Sequence, residues 1–167
     1  KNIVAYYYPQ VRPKIIVTKE GLGKTYQQTA RRLIQVNDLK KSKSKSADQT
    51  NFKLVYTGSL YPHKNLNLVL QALVREPNWH LTIVGARSVF QDQLKTQIDQ
   101  LKLTSQVTLA GYVTDTDLIK LYQSSDALVQ PSVSEGFGLT GIEGMASGTL
   151  VLASDIPIFR EIYQTAA

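Results

Sequence analysis

The chain has 167 residues, 43% of them hydrophobic and 19% charged, with no cysteine and two histidines. That balance predicts a packed core in one domain, or in one domain plus a piece of another; it excludes general disorder, disulfides and thiol chemistry, and argues against a zinc centre. The net charge of +6 is lopsided, because residues 1–50 hold eleven Lys and Arg against three Asp and Glu, whereas residues 51–167 hold eight against ten.

A nucleic-acid-binding domain would carry its basic patch on the folded body. Here the excess lies in the amino-terminal third, so no nucleic-acid partner is expected. No apolar run approaches the roughly 18 residues that span a bilayer. The opening K-N-I-V-A-Y-Y-Y-P is too short and too aromatic for a signal peptide. Lacking an initiating methionine, the chain reads as a fragment or a processed product.

In chain order, Lys14 to Thr18 is a short strand that ends at Gly21, and a polar helix follows over Tyr26 to Ile34. Residues 40–50, with the tract K-K-S-K-S-K-S, have low complexity and no apolar period, so a domain boundary or hinge is expected there. The tract reads as a solvated linker; contact with anionic lipid or nucleic acid is the sharper alternative. From Asn51 the texture becomes regular. Strands are predicted over Phe52–Thr57, His80–Val84, Val107–Ala110, Ala127–Gln130 and Leu150–Ala153. Helices are predicted over Leu66–Val74, Phe90–Leu101, Asp115–Ser124 and Leu139–Ser147, with another opening at Pro157 and running to Tyr163. Apolar residues at helical spacing, Leu94, Ile98 and Leu101 in one helix and Leu118, Ile119 and Tyr122 in the next, mark the inward faces. Strands alternating with helices through short loops specify βαβ units and a doubly wound, Rossmann-like parallel sheet covered on both faces, from about Asn51 onward.

Ligands of such sheets bind beyond the carboxyl ends of the strands, which here carry Gly58, Gly85, Gly111, Pro131 and Ser154. The richest of these ends is P-S-V-S-E-G-F-G-L-T-G-I-E-G-M-A-S-G, from Pro131 to Gly148. Its glycines admit a ligand close to the backbone, and the amides of the following helix start form an anion site. Glu135 and Glu143 bracket this loop. Placed in the first helical turn, Glu143 could accept two hydrogen bonds from a vicinal diol such as a ribose, or simply serve the helix dipole. Glu135 could touch a ligand's sugar, or be a solvated loop acid. A glycosidase pair is disfavoured, because a phosphate-type loop separates the two acids. Lys64, expected at the start of the first helix after Gly58, could meet a phosphate.

A decoy lies upstream. Thr18 to Thr25 ends in G-K-T, but Thr18 stands where a phosphate-binding P-loop has its first glycine, and no strand in that unit ends in a magnesium-binding Asp. His63 and His80 are isolated, and neither has a partner that makes it a base.

Gly58…Lys64-Asn65, Gly85, Gly111-Tyr112-Val113, Pro131-Ser132…Glu135-Gly136-Phe137-Gly138-Leu139…Glu143 and Ser154-Asp155-Ile156-Pro157…Glu161 together resemble the carboxy-terminal domain of a GT-B-fold, family 4 retaining glycosyltransferase. The E-x7-E spacing is specific in this setting, and the resemblance covers about Asn51 to Glu161. More weakly, Pro13 to Gly21 is similar to the last strand of the amino-terminal domain of such enzymes.

The resemblance implies a remnant of that domain plus a basic interdomain linker over 1–50, and a nucleotide-sugar-binding domain over 51–167 with its final helices cut short. It implies that Lys64 neutralises the diphosphate of a nucleotide-sugar donor and that Gly58 and Ser59 border it. The amides of Phe137, Gly138 and Leu139 hold the diphosphate or the donor sugar. Glu143 binds ribose hydroxyls, Glu135 contacts the transferred sugar, and Gly111, Tyr112 and Val113 lie near the base. No metal or other cofactor is required. The expected reaction is retaining transfer of a hexose to a saccharide or lipid-linked acceptor in the cytoplasm, with peripheral contact at the inner face of the membrane as a further expectation. Two departures stand out: Ser59 replaces a common arginine, so one phosphate contact is missing or supplied elsewhere, and Leu150 replaces a usual proline. With the acceptor domain nearly absent, the chain alone is expected to bind donor weakly and catalyse nothing. A nucleotide-sugar epimerase or a non-catalytic nucleotide-binding module are the competing readings.

Overall fold

The computed structural model describes residues 21–37, 51–85, 90–164 and 166–167. The strand expected at Lys14–Thr18 and the basic tract lie outside these residues. The described elements are α1 (Lys24–Asn37), β1 (Phe52–Thr57), α2 (Leu66–Arg75), β2 (Trp79–Val84), α3 (Gln91–Gln100), β3 (Val107–Gly111), α4 (Asp115–Ser124), β4 (Ala127–Gln130), α5 (Leu139–Ala146), β5 (Leu150–Ala153) and α6 (Pro157–Tyr163). A short 3-10 turn over Pro62–Lys64 precedes α2.

The five strands form one sheet in the order β3-β2-β1-β4-β5, and every pairing is parallel. β1 and β4 are short apolar runs with buried centres, as strands covered on both faces must be. The helices lie on both sides. One apolar cluster joins α2 and α3 to the sheet through Leu70, Leu73, Leu81, Leu94 and Ile98; a second joins α4, α5 and α6 through Ile119, Tyr122, Leu128, Phe159 and Tyr163. Each fully buried leucine contributes about 2 kcal/mol by its removal from water. The covering is incomplete on β5, where Leu150 is 56% and Leu152 45% exposed.

α1, on the amino-terminal side of the boundary at Asn51, packs against this domain. Its Tyr26 is buried in the second cluster together with residues of α4 and α5. The helix therefore shares the domain's core even though a linker separates the two in sequence.

Candidate functional site

From β1 the chain winds outward to β2 and β3, and from β4 it winds the other way to β5. The loops leaving β1 and β4 thus diverge, and a crevice opens between them at the carboxyl edge of the sheet. The two loops are tied across it, since the Val133 amide donates to the His63 carbonyl at 2.8 Å. In the crevice, Lys64 Nζ stands 2.6 Å from Glu135 Oε1, with the two side chains only 18% and 13% exposed. Ser132, itself buried, donates its hydroxyl to the same Glu135 oxygen at 2.7 Å. An ammonium group has three donors, so Lys64 held by Glu135 can still reach an incoming anion. That anion competes with Glu135 for it. Lys64 was expected at the start of a helix; it lies instead on the 3-10 turn before α2, and the left-handed Asn65 (φ 54°) makes the corner between them.

Across the crevice, Gly138 caps α5 in the left-handed conformation, φ 89° and ψ 36°. The amides that follow have no partner inside the helix, and with the helix dipole they attract negative charge. The first turn of α5 contains no acid to neutralise them. The helix begins at Leu139 as expected, but Glu143 is its fifth residue and so opens the second turn, one residue beyond the first turn expected for it. Glu143 is half-buried there. Burial, and then the charge of Asp115, hold its carboxyl above the usual carboxylate range. Its own charge reaches Tyr26 of α1 and Tyr122 of α4, whose phenols are raised chiefly by burial. The buried hydroxyls of Tyr122 and Thr57 are each other's neighbours, and the contact with Thr57 offsets part of the rise that burial imposes on the phenol.

The glycine-marked strand ends are interlocked. The Gly58 amide donates to the Val84 carbonyl at 3.0 Å and the Gly85 amide to the Gly111 carbonyl at 3.1 Å. A Cβ on Gly85 would overlap the Gly58 carbonyl oxygen, so only glycine permits this approach. Ser59 brings no charge to the edge; its carbonyl accepts the Tyr56 hydroxyl at 2.5 Å. Tyr112 is 85% exposed at the end of β3, which β2 separates from the central crevice.

The structure therefore brings Lys64 and Glu135 into contact and sets the Phe137–Leu139 turn and Glu143 on the same loop-helix unit. It leaves Tyr112 exposed at the rim, while Val113 packs partly buried against the second cluster. Sequence reasoning missed Ser132, whose spacing three residues before Glu135 was a usable signal, and Tyr26, whose sequence position gave none. The G-K-T decoy has no support among the described residues. Gly21 and Gly23 have no positive φ, and Lys24 and Thr25 are exposed in the first turn of α1. His80 pairs with Thr108 across two strands at 2.9 Å, a structural role as expected.

A parallel, doubly wound sheet with a cation, an acid and an unneutralised helix start at its switch point defines a Rossmann-like α/β domain, a class whose ligands bind at this edge of the sheet. The chain belongs to the family of glycosyl transferases group 1, whose sequence model matches residues 37–167. The O-antigen chain mannosyltransferase RfbU of Salmonella typhimurium is 32% identical over 151 residues, covering 89% of this chain and 43% of that protein. A glycosyltransferase of Rickettsia africae superposes with a TM-score of 0.72 at 23% identity, over 96% of this chain and 43% of the other. HepE of Anabaena, solved with UDP-glucose, superposes with a TM-score of 0.60 at 23% identity, over 84% of this chain and 36% of the other. These likenesses show the GT-B Rossmann-like fold. The chain spans less than half the length of each of these relatives.

Proposed function

We propose that this chain is the donor-binding part of a retaining glycosyltransferase that takes a hexose from a nucleoside diphosphate sugar and passes it to a saccharide or lipid-linked acceptor. The observation that carries the reading is the Lys64–Glu135–Ser132 cluster, in which Lys64 of the β1 loop meets the β4 loop that leads into the bare amino terminus of α5. When the glycosidic bond to the diphosphate breaks, negative charge grows on the leaving oxygens. Lys64 and the amides at Gly138 and Leu139 are fixed donors for that charge, and fixed donors need little reorganisation as it develops. Glu135, released from Lys64 by the diphosphate, is free to accept a hydroxyl of the transferred sugar. Glu143, one turn deeper, takes the ribose diol.

With its own cation and helix start at the diphosphate, the site needs no metal. Among the described residues no helix is long and apolar enough to cross a membrane. A cytoplasmic location fits a nucleotide-sugar donor, and the basic tract at 40–45 offers a contact for anionic lipid if the acceptor is lipid-linked. RfbU and HepE, by their names and bound ligand, support a sugar-nucleotide donor and a polysaccharide product.

The test is calorimetric titration of the chain with UDP, GDP and ADP, with and without magnesium. One diphosphate should bind without metal, and Lys64→Ala should weaken it by about ten- to a hundredfold, the worth of a charged hydrogen bond. Metal-dependent binding indifferent to Lys64 and Glu143 would overturn the reading.

A further inference from the structure

The end of β4, the start of α5 and the end of α6 meet at one buried phenol. Tyr163 is 3% exposed, and its ring is stacked on Phe159 with centroids 4.8 Å apart. Its Oη lies 2.7 Å from the Gly138 carbonyl and 2.5 Å from Gln130 Oε1. A phenol has one proton and cannot donate to both. The oxygen and nitrogen of a side-chain amide share one outline, and the network decides between them. With Gln130 turned to present Nε2, it donates to Tyr163 Oη and the phenol donates to the Gly138 carbonyl. The phenol's donor and acceptor roles are then both filled. Burial, with the charge of Glu135 as a lesser cause, holds the phenol well above its ordinary value, so it keeps the proton this arrangement needs.

The neighbouring glycines match the phenol. A Cβ on Gly138 would stand 2.5 Å from Tyr163 Oη and 2.8 Å from Phe159 Cε1. A Cβ on Gly141 would overlap the phenol and stand 2.5 Å from Gln130 Oε1. Tyr163 thus fills volume that side chains at 138 and 141 would otherwise occupy.

The Gly138 carbonyl and the Leu139 amide belong to one rigid trans peptide, in which C=O and N–H point in opposite directions. The oxygen also accepts the Gly141 amide at 3.1 Å, and the phenol is its second anchor; anchoring the oxygen therefore aims the N–H. We propose that Tyr163, oriented by Gln130, is a positioning residue that locks this peptide plane, so that the Leu139 amide faces away from the core and toward the ligand crevice. The proposal rests on the donor-site reading above, since that reading supplies the diphosphate the amide would meet. Tyr163 touches no ligand and acts through the backbone of the turn.

Tyr163→Phe keeps the ring stack and removes only the hydroxyl. Two readouts on the 167-residue chain test it: amide hydrogen exchange, and calorimetric affinity for whichever of UDP, GDP or ADP the unmodified chain binds. Exchange should accelerate at 138–141 above any general rise, and affinity should weaken about three- to tenfold, the net worth of one hydrogen bond. Gln130→Met leaves the phenol free to donate to Gly138 and should weaken affinity less. Exchange that rises evenly over the chain, with affinity unchanged, would make Tyr163 a core residue only and overturn the proposal. If the unmodified chain binds no nucleoside diphosphate, the donor-site reading fails on its own. Exchange then still decides whether Tyr163 locks the turn, and no local acceleration overturns that.

Discussion

The two faces of the sheet are built to different ends. The cluster under α2 and α3 is mostly aliphatic, with Leu54, Leu70, Leu73, Leu81 and Ile83 at its centre and one buried phenol, Tyr56, whose hydroxyl donates to the Ser59 carbonyl. The cluster under α4, α5 and α6 instead buries three phenols, Tyr26, Tyr122 and Tyr163, and packs against helix glycines that are tight by necessity. A Cβ on Gly144, for example, would stand 2.6 Å from Leu128 Cδ2. Aliphatic packing is non-directional and tolerant, so most of the first face holds the fold up without fixing any one atom, Tyr56 being the exception. Phenols are directional, because each buried hydroxyl needs a partner at a set distance and angle. The second face carries Glu143 and the turn at Gly138, where tenths of an ångström matter to a ligand. The two faces weight stability and precision differently, with one buried phenol on the first and three on the second.

The sharpest way to break this division is a cavity on the aliphatic face. Leu70→Ala should cost about 2–5 kcal/mol of folding stability, read as a lower denaturant midpoint. Nucleoside diphosphate affinity, measured well below the new transition, should be unchanged. A loss of affinity as large as that of Lys64→Ala would mean that the faces are not independent.

A smaller effect of opposite sign should come from the site itself. Glu135→Gln keeps an acceptor for Ser132 and removes the charge that holds Lys64 in the empty crevice. Lys64 then meets a diphosphate without first leaving a counter-ion. Affinity for the bare nucleoside diphosphate should rise about two- to fivefold, the scale of a partly exposed ion pair. For the corresponding nucleotide sugar the gain should shrink, because the hexose loses its charged acceptor. Equal gains for both ligands would remove Glu135 from the sugar subsite.

Much of this was legible in the chain. Period-two and period-3.6 patterns, punctuated by Gly58, Gly85, Gly111 and Pro131, located ten of the elements to within a residue or so of their ends, because in a parallel sheet each strand is a short apolar run with a glycine or proline at its exit. The crevice was legible for the same reason, through Lys64, Glu135 and the glycine turn. What was not legible depended on long-range contacts. Nothing local says that Tyr26, some 25 residues before β1, enters the core, or that Tyr163 reaches back to Gln130 across 33 residues. Glu143 opens the second turn of its helix, one residue beyond the first turn expected for it, although the helix start at Leu139 was legible. Covering of the sheet was overstated at β5, where alternation put Leu150 and Leu152 on a face that no described helix reaches.

The smallest predicted effect separates the two faces by pH. The Glu143 carboxyl is raised in the fold by burial and by Asp115, so the native chain holds that proton to higher pH than the unfolded one. Native binding of more protons makes stability fall as pH rises. The contribution is complete below the unfolded value of about 4.3 and is lost as pH climbs through the raised native value. Glu143→Gln removes the titration. The difference in urea midpoint between the parent and this variant should therefore drift against the parent across that window and be flat on either side of it. Asp115→Asn should reduce the drift without abolishing it, since burial is the larger cause. Binding should run the other way, because a ribose diol is best held by the ionised carboxylate, so nucleoside diphosphate affinity should rise over the same window in which stability falls. Leu70→Ala should alter neither slope. A stability difference that is flat throughout would show that Glu143 is as well solvated in the fold as out of it, and would leave the second face without its buried acid.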